Sequence, residues 1–182
     1  MIRYPLLEKG QTFGITAPSS GVPTELHTLL RDACDRMKHR GYNVLCGETV
    51  WTENKVRSSS PRLRADEFNE MMQEESIHHL FPPWGGELLI KMLEYVQFND
   101  LKNKWMIGFS DISLLLLAVT LKTGIATAHG SNLVNLRGEH SDDTTSMWEA
   151  VLSTEKGSMV QAGEWRMISD FIEDTKQRTC VN

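Results

Sequence analysis

The stretch Trp105–Val119, WMIGFSDISLLLLAV, joins an apolar run to a helix-like run across a short turn. Its apolar residues up to Gly108 predict a buried strand, and the residues from Asp111 onward predict a helix. The chain must therefore turn sharply around Ser110. Two interpretations of this serine stay open at this point: it is a nucleophile held on the turn, or it only starts the helix.

The same strand-to-helix pattern recurs along the chain. Strands are predicted over residues 11–17, 42–46, 77–81, 104–109 and 125–128, and helices over 24–40, 62–74, 87–96, 111–122 and 141–152. Near-continuously apolar strands that alternate with helices are typical of parallel sheets covered on both faces. We therefore predict an α/β fold, a doubly wound and mostly parallel sheet with helices on both faces.

Three loops follow predicted strands and are expected to open on the same edge of the sheet. They span residues 18–21, 82–86 and 108–111. Ligands of open α/β sheets bind beyond the carboxyl ends of the strands. The sequence therefore predicts a functional site where these three loops converge.

The 182 residues correspond to one domain of ordinary size. We assign residues 1–163 to the α/β domain, with the strand–turn–helix segment as its central part. Residues 164–182 mix apolar and polar side chains without completing another strand–helix unit. They are interpreted as a tail or linker.

Composition and charge exclude several classes of function. The net charge is −5, with no basic stripe, so neither nucleic acid nor a membrane surface is an expected partner. The opening residues lack the apolar region of a leader, and the widely spaced Cys34, Cys46 and Cys180 suggest reduced, packed thiols. Together these features predict a cytoplasmic protein. Neither a metal cluster nor a phosphate-binding glycine motif is visible, so no cofactor and no metal are expected.

The turn around Ser110 has the form of a nucleophile elbow. A hydroxyl there would project above the sheet edge, at the positive end of the following helix. The backbone amide of Asp111 could then stabilise an oxyanion. The alternative is that Ser110 is the N-cap and Asp111 lies in the first turn. The hydrolase pattern with a second glycine is not met, because Ile112 stands in that position.

A glycine turn offers a second candidate element. Gly85 and Gly86 follow the third predicted strand, and they allow backbone amides to face a ligand without a Cβ in the way. The alternative is a plain tight turn with Glu87 near a helix N-terminus. If this loop neighbours Ser110, an oxyanion hole shared by the two loops is the better interpretation. Glu87 is then a candidate substrate contact.

A serine nucleophile needs a base. Among the six histidines, His129 ends a predicted strand and could lie near the same edge. It is a candidate base, or more simply a structural or substrate-contacting residue. No spacing of carboxylate and histidine indicates a complete triad.

Four segments together resemble the LD-carboxypeptidase family of serine peptidases, and in particular its branch of microcin C immunity proteins. They are GITAPSSG at 14–21, SPRLRADEF at 60–68, PPWGGE at 82–87, and GFSDIS at 108–113 followed by LKTGIATAHG at 121–130. The resemblance runs from about residue 9 to residue 133. It identifies this region as the nucleophile domain of that fold.

The resemblance implies a mechanism. Ser110 corresponds to the family's nucleophile, and the backbone amides of Asp111 and of Gly85 or Gly86 correspond to its oxyanion hole. The family cleaves an amide at a carboxy-terminal position, either an L,D bond of a small peptide or the acyl bond of an aminoacyl-nucleotide-like compound. The implied activity is that of a serine carboxypeptidase-type hydrolase.

The family's glutamate and histidine lie in a C-terminal domain that no segment after Gly163 resembles. We therefore expect this chain to be a truncated half, inactive or weakly active alone. We also expect a homodimer, or association through the exposed domain surface, with residues 165–172 involved. A non-enzymatic module that binds a small ligand, or a degenerate remnant, remains the alternative.

Overall fold

One parallel sheet of five strands organises the chain, which is described by a computed structural model over residues 2–137, 143–155 and 158. The strands are β1 (Thr12–Ile15), β2 (Asn43–Cys46), β3 (His79–Phe81), β4 (Trp105–Gly108) and β5 (Ala128–His129). The helices are α1 (His27–His39), α2 (Pro61–Gln73), α3 (Ile112–Thr123) and α4 (Asp143–Leu152). Short 3₁₀ segments cover Thr24–Leu26, Glu48–Trp51, Leu89–Tyr95, Phe98–Asp100 and Leu133–Arg137.

The strand order is β2-β1-β3-β4-β5, and every pairing is parallel. The chain runs outward from β1 to β2 and then crosses back to β3 on the other side of β1. The order of the strands therefore reverses between β1 and β3, where doubly wound sheets open a crevice at their carboxyl edge. The predicted fold class is confirmed.

Helices cover both faces of the sheet, as predicted. Phe13 and Ile15 of β1 pack in one buried cluster with residues of α1 and α4. Leu80 of β3 and Met106 of β4 point the other way, into a second cluster with α2 and α3. Because successive side chains of a strand alternate between faces, β3 and β4 each contribute to both clusters. In the described part of the chain, no helix has the length and apolar character needed to cross a bilayer.

The predicted helix over 87–96 is instead a 3₁₀ segment, Leu89–Tyr95. Both of its ends are held by side chains of other elements. The Asp111 carboxylate accepts a hydrogen bond from its first amide, and Asn69 Nδ2 donates to its last carbonyl. These two anchors replace the bonds that would extend an α-helix, and periodicity cannot reveal them.

The last strand is shifted along the chain relative to the prediction of 125–128. Ile125 forms an isolated parallel bridge with Arg3, and the sheet pairing with β4 falls on Ala128 and His129. The amino-terminal segment therefore takes the backbone groups next to Ile125. The other predicted elements agree with the structure within a few residues, and the tail over 164–182 lies outside the described residues.

A buried histidine lies in the middle of the sheet. His79 is fully buried and is paired in register with Phe13 and Trp105. Its Nε2 is 2.6 Å from Gln11 Oε1, and its Nδ1 has no hydrogen-bond partner among the described residues. Burial lowers the pKa of His79 to about 3, so the ring is neutral in the folded protein at neutral pH.

This histidine predicts a loss of stability in mild acid. Its pKa lies near 6.5 when unfolded and is lowered to about 3 when folded, so the unfolded chain binds more protons between these values. The free energy of unfolding should therefore fall as the pH drops from about 6.5 toward 3, by up to ~1.4 kcal/mol per pH unit. Urea denaturation at about pH 7.5 and about pH 5.5 measures this fall.

The control is His79→Gln, which keeps a polar side chain but cannot take up a proton in this range. Carboxylates also contribute to acid sensitivity, so the informative quantity is the difference between the two proteins. A variant that loses as much stability as the wild type over the same interval would contradict the assignment to His79.

Candidate active site

Three loops meet at the carboxyl edge of the sheet, as predicted. Ser19 Oγ, after β1, donates to Asp111 Oδ2, after β4, at 2.5 Å. Ser20 N donates to the carbonyl oxygen of Gly85, after β3, at 3.4 Å. Residues of all three loops line an open cavity of about 500 Å³.

Ser110 lies on this cavity in a strained backbone conformation. Its φ is 64°, in the left-handed region that residues with a Cβ rarely adopt. The side chain is exposed, and its hydroxyl bonds to none of the residues that the structure describes. Such strain costs about 1–3 kcal/mol and persists only where the surroundings impose it.

Helix α3 begins after the strained residue. Its N-cap is Asp111, and no side chain makes a capping hydrogen bond there. The interpretation of Ser110 as the N-cap is therefore wrong. The backbone carbonyl of Ser110 accepts from Ser113 N at 3.0 Å, so the serine contributes its main chain to the first turn.

The turn is held from below by Asn132, which is 1% exposed. Asn132 Oδ1 accepts a hydrogen bond from the amide of Phe109 at 3.1 Å. A Cβ on Gly108 would come within 3.0 Å of that oxygen and 2.8 Å of Ile112 Cγ2. The close packing around this glycine, together with the hydrogen bond, fixes the residues on either side of the turn.

The Asp111 carboxylate joins the three loops. Besides Ser19 Oγ, its Oδ2 accepts from the amide of Leu89 at 2.9 Å. Ser19 is fully buried, and its hydroxyl accepts in turn from Leu88 N at 3.2 Å. One carboxylate therefore anchors the loop after β1 and the start of the 3₁₀ segment after β3.

The two glycines of the predicted turn lie against different partners. A Cβ on Gly85 would stand 2.9 Å from Ser110 Cβ, 3.0 Å from Ser110 Oγ and 3.4 Å from Asp111 N. A Cβ on Gly86 would instead collide with the hydroxyl oxygens of Ser19 and Ser20. Only glycine allows both approaches, so the structure brings Gly85 beside the serine and Gly86 against the first loop.

A buried arginine braces the site from α2. Arg64 is 1% exposed, and its guanidinium donates to the carbonyl oxygens of Pro18 at 2.7 Å and Leu88 at 3.1 Å. Burial lowers the pKa of Arg64, and the nearby Asp111 carboxylate opposes this effect. Because arginine stays protonated even so, it adds a positive charge beneath the loops.

A second strained turn forms the rim of the cavity. Lys55 and Val56 have φ values of 50° and 62°, and the Val56 carbonyl accepts from Ser20 Oγ at 2.7 Å. Glu53 accepts from Val56 N at 2.7 Å and lines the cavity. Glu53 and Lys55 therefore place charges of opposite sign in this turn.

Two other predicted residues lie apart from the serine. Glu87 is exposed and does not line the cavity. His129 is exposed in β5, in register with Gly108, and it does not line the cavity either. No histidine of the described residues lines it, and His140 lies outside them. Within residues 2–137, 143–155 and 158, no group of three or more His, Cys, Asp or Glu could hold a metal ion.

Ser19, Arg64 and Asn132 are the supporting residues that the sequence analysis did not select. Ser19 and Arg64 do lie within the segments at 14–21 and 60–68 that carry the family resemblance. The position of Arg64 could have indicated its burial, because it lies one residue before Ala65 and four before Phe68, on the inner face of α2. Nothing in the local sequence around Asn132 indicated its bond to the turn.

The arrangement suits the stabilisation of negative charge next to a hydroxyl group. The positive end of α3 points at the turn, and Asp111 N lies beside Gly85. Backbone amides near an exposed serine are the components of an oxyanion hole. The described part of the site therefore contains a hydroxyl and amide donors, without a base in contact with the hydroxyl.

Comparison with known sequences gives a consistent result. The family described as LD-carboxypeptidase N-terminal domain matches residues 13–130. A candidate carboxypeptidase of Vibrio cholerae is 30% identical over 142 residues, which cover 77% of this chain and 42% of that protein. The microcin C7 self-immunity protein MccF of Escherichia coli is 26% identical over 143 residues, 75% of this chain and 42% of that protein. The chain thus spans less than half the length of these relatives.

Solved structures share the fold. The microcin C7 self-immunity protein MccF without ligand superposes with a TM-score of 0.78 at 23% identity, covering 86% of this chain and 48% of that one. A MccF-like protein from Bacillus anthracis gives a TM-score of 0.75 at 24% identity, covering 85% and 47%. The described residues therefore share the fold of about half of each of these proteins.

The strain at Ser110 predicts an unusual ranking of two substitutions. Glycine adopts left-handed φ without the steric cost that alanine incurs, and both remove the hydroxyl. The free energy of unfolding of Ser110→Gly should therefore be about 1 kcal/mol higher than that of Ser110→Ala. Equilibrium urea denaturation of the two variants measures the difference.

Ser113, inside α3, provides the matched control. At this position the glycine variant should be less stable than the alanine variant, because alanine has the higher helix propensity. If the glycine and alanine variants rank the same way at both positions, the left-handed conformation of Ser110 is contradicted.

Proposed function

The chain belongs to the LD-carboxypeptidase family, and from that premise we propose that it is the nucleophile-bearing part of a serine hydrolase. The observation that carries the proposal is the exposed hydroxyl of Ser110, presented on a left-handed turn next to Gly85 and Asp111 N. A strained turn of this kind directs a hydroxyl away from the sheet and toward a bound carbonyl.

In the proposed reaction, Ser110 Oγ attacks the carbonyl carbon of a scissile acyl bond. The proton of the hydroxyl passes to a general base as the tetrahedral intermediate forms. The backbone amides of Asp111 and of Gly85 or Gly86 donate to the oxyanion. The intermediate then collapses, the scissile bond breaks, and the leaving group departs with the proton that the base returns. Water hydrolyses the resulting acyl-serine, which releases the acid and restores the hydroxyl.

The proposed substrate is a small acyl compound of the aminoacyl-nucleotide type, with a small L,D-linked peptide as the family's other option. Structures of MccF have been solved in complex with aspartyl sulfamoyl adenosine and with glutamyl sulfamoyl guanosine. The open cavity beside Ser110, about 500 Å³ in volume, has room for a compound of this size.

The general base is proposed to come from outside the described residues. No described histidine lines the cavity, and Ser110 Oγ has no acceptor among the residues described. Removal of the base from a triad lowers the rate by several orders of magnitude. We therefore propose that residues 1–163 form a nucleophile domain that turns over its substrate weakly by itself, with residues 164–182 as a tail or linker.

A second function is favoured by a separate observation. The three loops and the start of α3 present a preformed set of hydrogen-bonding groups. Such a set can bind a carboxylate or a phosphate without catalysing a reaction. The chain would then be a small-ligand binding module, or a remnant that kept the fold. Binding without turnover distinguishes this function from the hydrolase.

The test combines binding and turnover with aspartyl sulfamoyl adenosine. Calorimetry measures binding, and mass spectrometry measures the release of aspartate by the purified chain, by Ser110→Ala and by Ser113→Ala as the matched control. We expect binding in all three proteins, and slow aspartate release that is lost only in Ser110→Ala.

Each other outcome has a definite meaning. Fast turnover that depends on Ser110 would support the hydrolase. It would contradict the proposal that the general base lies outside the described residues, and His129 would be the first residue to replace. Binding with no release in any protein would favour the binding module. Absence of binding in the folded chain would contradict the proposed substrate, and release that continues in Ser110→Ala would contradict the nucleophile.

We also propose a cytoplasmic location, supported by the free thiols of Cys34 and Cys46 and by the nucleotide-like nature of the proposed substrate. Its partners would then be small molecules, without nucleic acid or membrane.

Association with a second copy is proposed as well, through an exposed leucine stripe on α3. Leu114, Leu117 and Leu121 are 36%, 56% and 74% exposed, while the other side of the helix is buried against the sheet. Helices that are apolar all round are normally covered on every side. The stripe is therefore the described surface best suited to a self-contact, and residues 165–172 lie outside the described part.

Sedimentation at increasing protein concentration tests the association. We expect the wild-type chain to show a concentration-dependent rise in mass, because the contact would bury the stripe. The double variant Leu117→Gln, Leu121→Gln should stay monomeric, and Ile90→Gln, which removes an exposed apolar side chain elsewhere, serves as the control. A wild-type monomer at all concentrations would contradict the proposal.

A further inference from the structure

Two cysteines that the site does not use lie side by side at the edge of the sheet. Cys34, on α1, and Cys46, the last residue of β2, have their Sγ atoms 3.7 Å apart. Both are free thiols. Their spacing of twelve residues gave no sign of this contact, because it depends on how α1 folds back onto β2.

The two thiols differ in access. Cys34 is 5% exposed and belongs to the core between α1 and the sheet. Cys46 is partly exposed, at the end of the edge strand β2. Cys46 is therefore the residue of the pair that a reagent in solution meets first.

The two sulfur atoms are close enough for a small movement to join them. A disulfide needs its sulfur atoms about 2.05 Å apart, so a closure of about 1.7 Å converts this contact into a bond. β2 is the edge strand of the sheet, paired only with β1 among the described strands. A small shift of its last residue therefore disturbs no strand beyond it.

Local electrostatics favour the exposed thiol as the attacking group. The hydrogen bond with Cys34 lowers the pKa of Cys46, and Lys38 lowers it further. The same contact raises the pKa of Cys34, and burial adds to the rise. The thiolate is the reactive form, so the accessible sulfur is also the more nucleophilic one.

We propose that Cys34 and Cys46 are a thiol–disulfide modification site whose reaction partner is a low-molecular-weight disulfide. The Cys46 thiolate attacks one sulfur of the small disulfide, breaks its S–S bond and releases one small thiolate. The Cys34 thiol then loses its proton and attacks Cys46 Sγ in the mixed disulfide, and the second small thiolate leaves. Two protein thiols are oxidised to one disulfide, and one small disulfide is reduced to two thiols.

The bond would lie close to a segment that supports the loops of the site. Gly47, next to Cys46, donates its amide to Ile15 O at 2.8 Å, at the end of β1. Thr49 Oγ1 accepts from Ala17 N at 2.9 Å, directly before the first loop. Oxidation therefore joins α1 covalently to the segment that braces this loop from outside.

The test uses Cys180→Ser, in which Cys34 and Cys46 are the two remaining cysteines. The folded, reduced protein is incubated with glutathione disulfide and glutathione, quenched in acid, alkylated and mapped by peptide mass spectrometry. We expect a Cys34–Cys46 linkage with the loss of two hydrogens, and its return to two thiols with excess glutathione. The fraction oxidised against the glutathione ratio gives the effective concentration of the pair.

Two comparisons keep the test decisive. The effective concentration should be at least about tenfold higher in the folded protein than in guanidinium chloride, because the fold brings the thiols together. In the same Cys180→Ser background, Cys34→Ser should stop at the glutathione adduct of Cys46, while Cys46→Ser should react slowly. Absence of the linkage in the folded chain, or equal effective concentrations folded and unfolded, would overturn the proposal.

Discussion

The Asp111 carboxylate is the group on which the geometry of the site depends. It accepts hydrogen bonds from Ser19 Oγ after β1 and from Leu89 N after β3, while its own backbone begins α3. Three separate crossovers of the sheet are therefore joined at one side chain. The buried Arg64 places its positive charge nearby and holds the same two loops through their carbonyls. A buried, hydrogen-bonded network of this kind is rigid, and it costs stability when one member is removed.

This rigidity explains how a serine can be kept in a left-handed conformation. Ser110 has a φ of 64°, and its neighbours leave little space for relaxation. The amide on one side is bonded to Asn132, and the residue on the other side is bonded to the first and second loops. The strain is therefore borne by contacts that do not include the hydroxyl. This division leaves the hydroxyl free for a ligand while the backbone stays fixed.

Much of the fold was predictable because it follows local patterns. Short apolar strands and helices with one buried face can be predicted from the spacing of apolar residues. The glycines around the turns indicate where the chain changes direction. The convergence of the three loops followed from parallel topology alone. The 3₁₀ form of Leu89–Tyr95 was not predictable, because side chains of Asn69 and Asp111 fix its two ends. The supporting roles of Arg64 and Asn132 have the same origin, since each is defined by partners at least 23 residues away.

The bond between Asn132 and the amide of Phe109 also sets an order of events during synthesis. Residue 132 leaves the ribosome after the turn, after all of α3 and after β5, so the turn is made before its support exists. Until that asparagine arrives, nothing at its position holds the serine's neighbour in place, and the unstrained conformations of Ser110 are favoured. The site is therefore completed late, whereas the strand and helix that flank it can form early. A nascent chain that has exposed β4 and α3 has the outline of the fold, but it does not yet have the fixed serine.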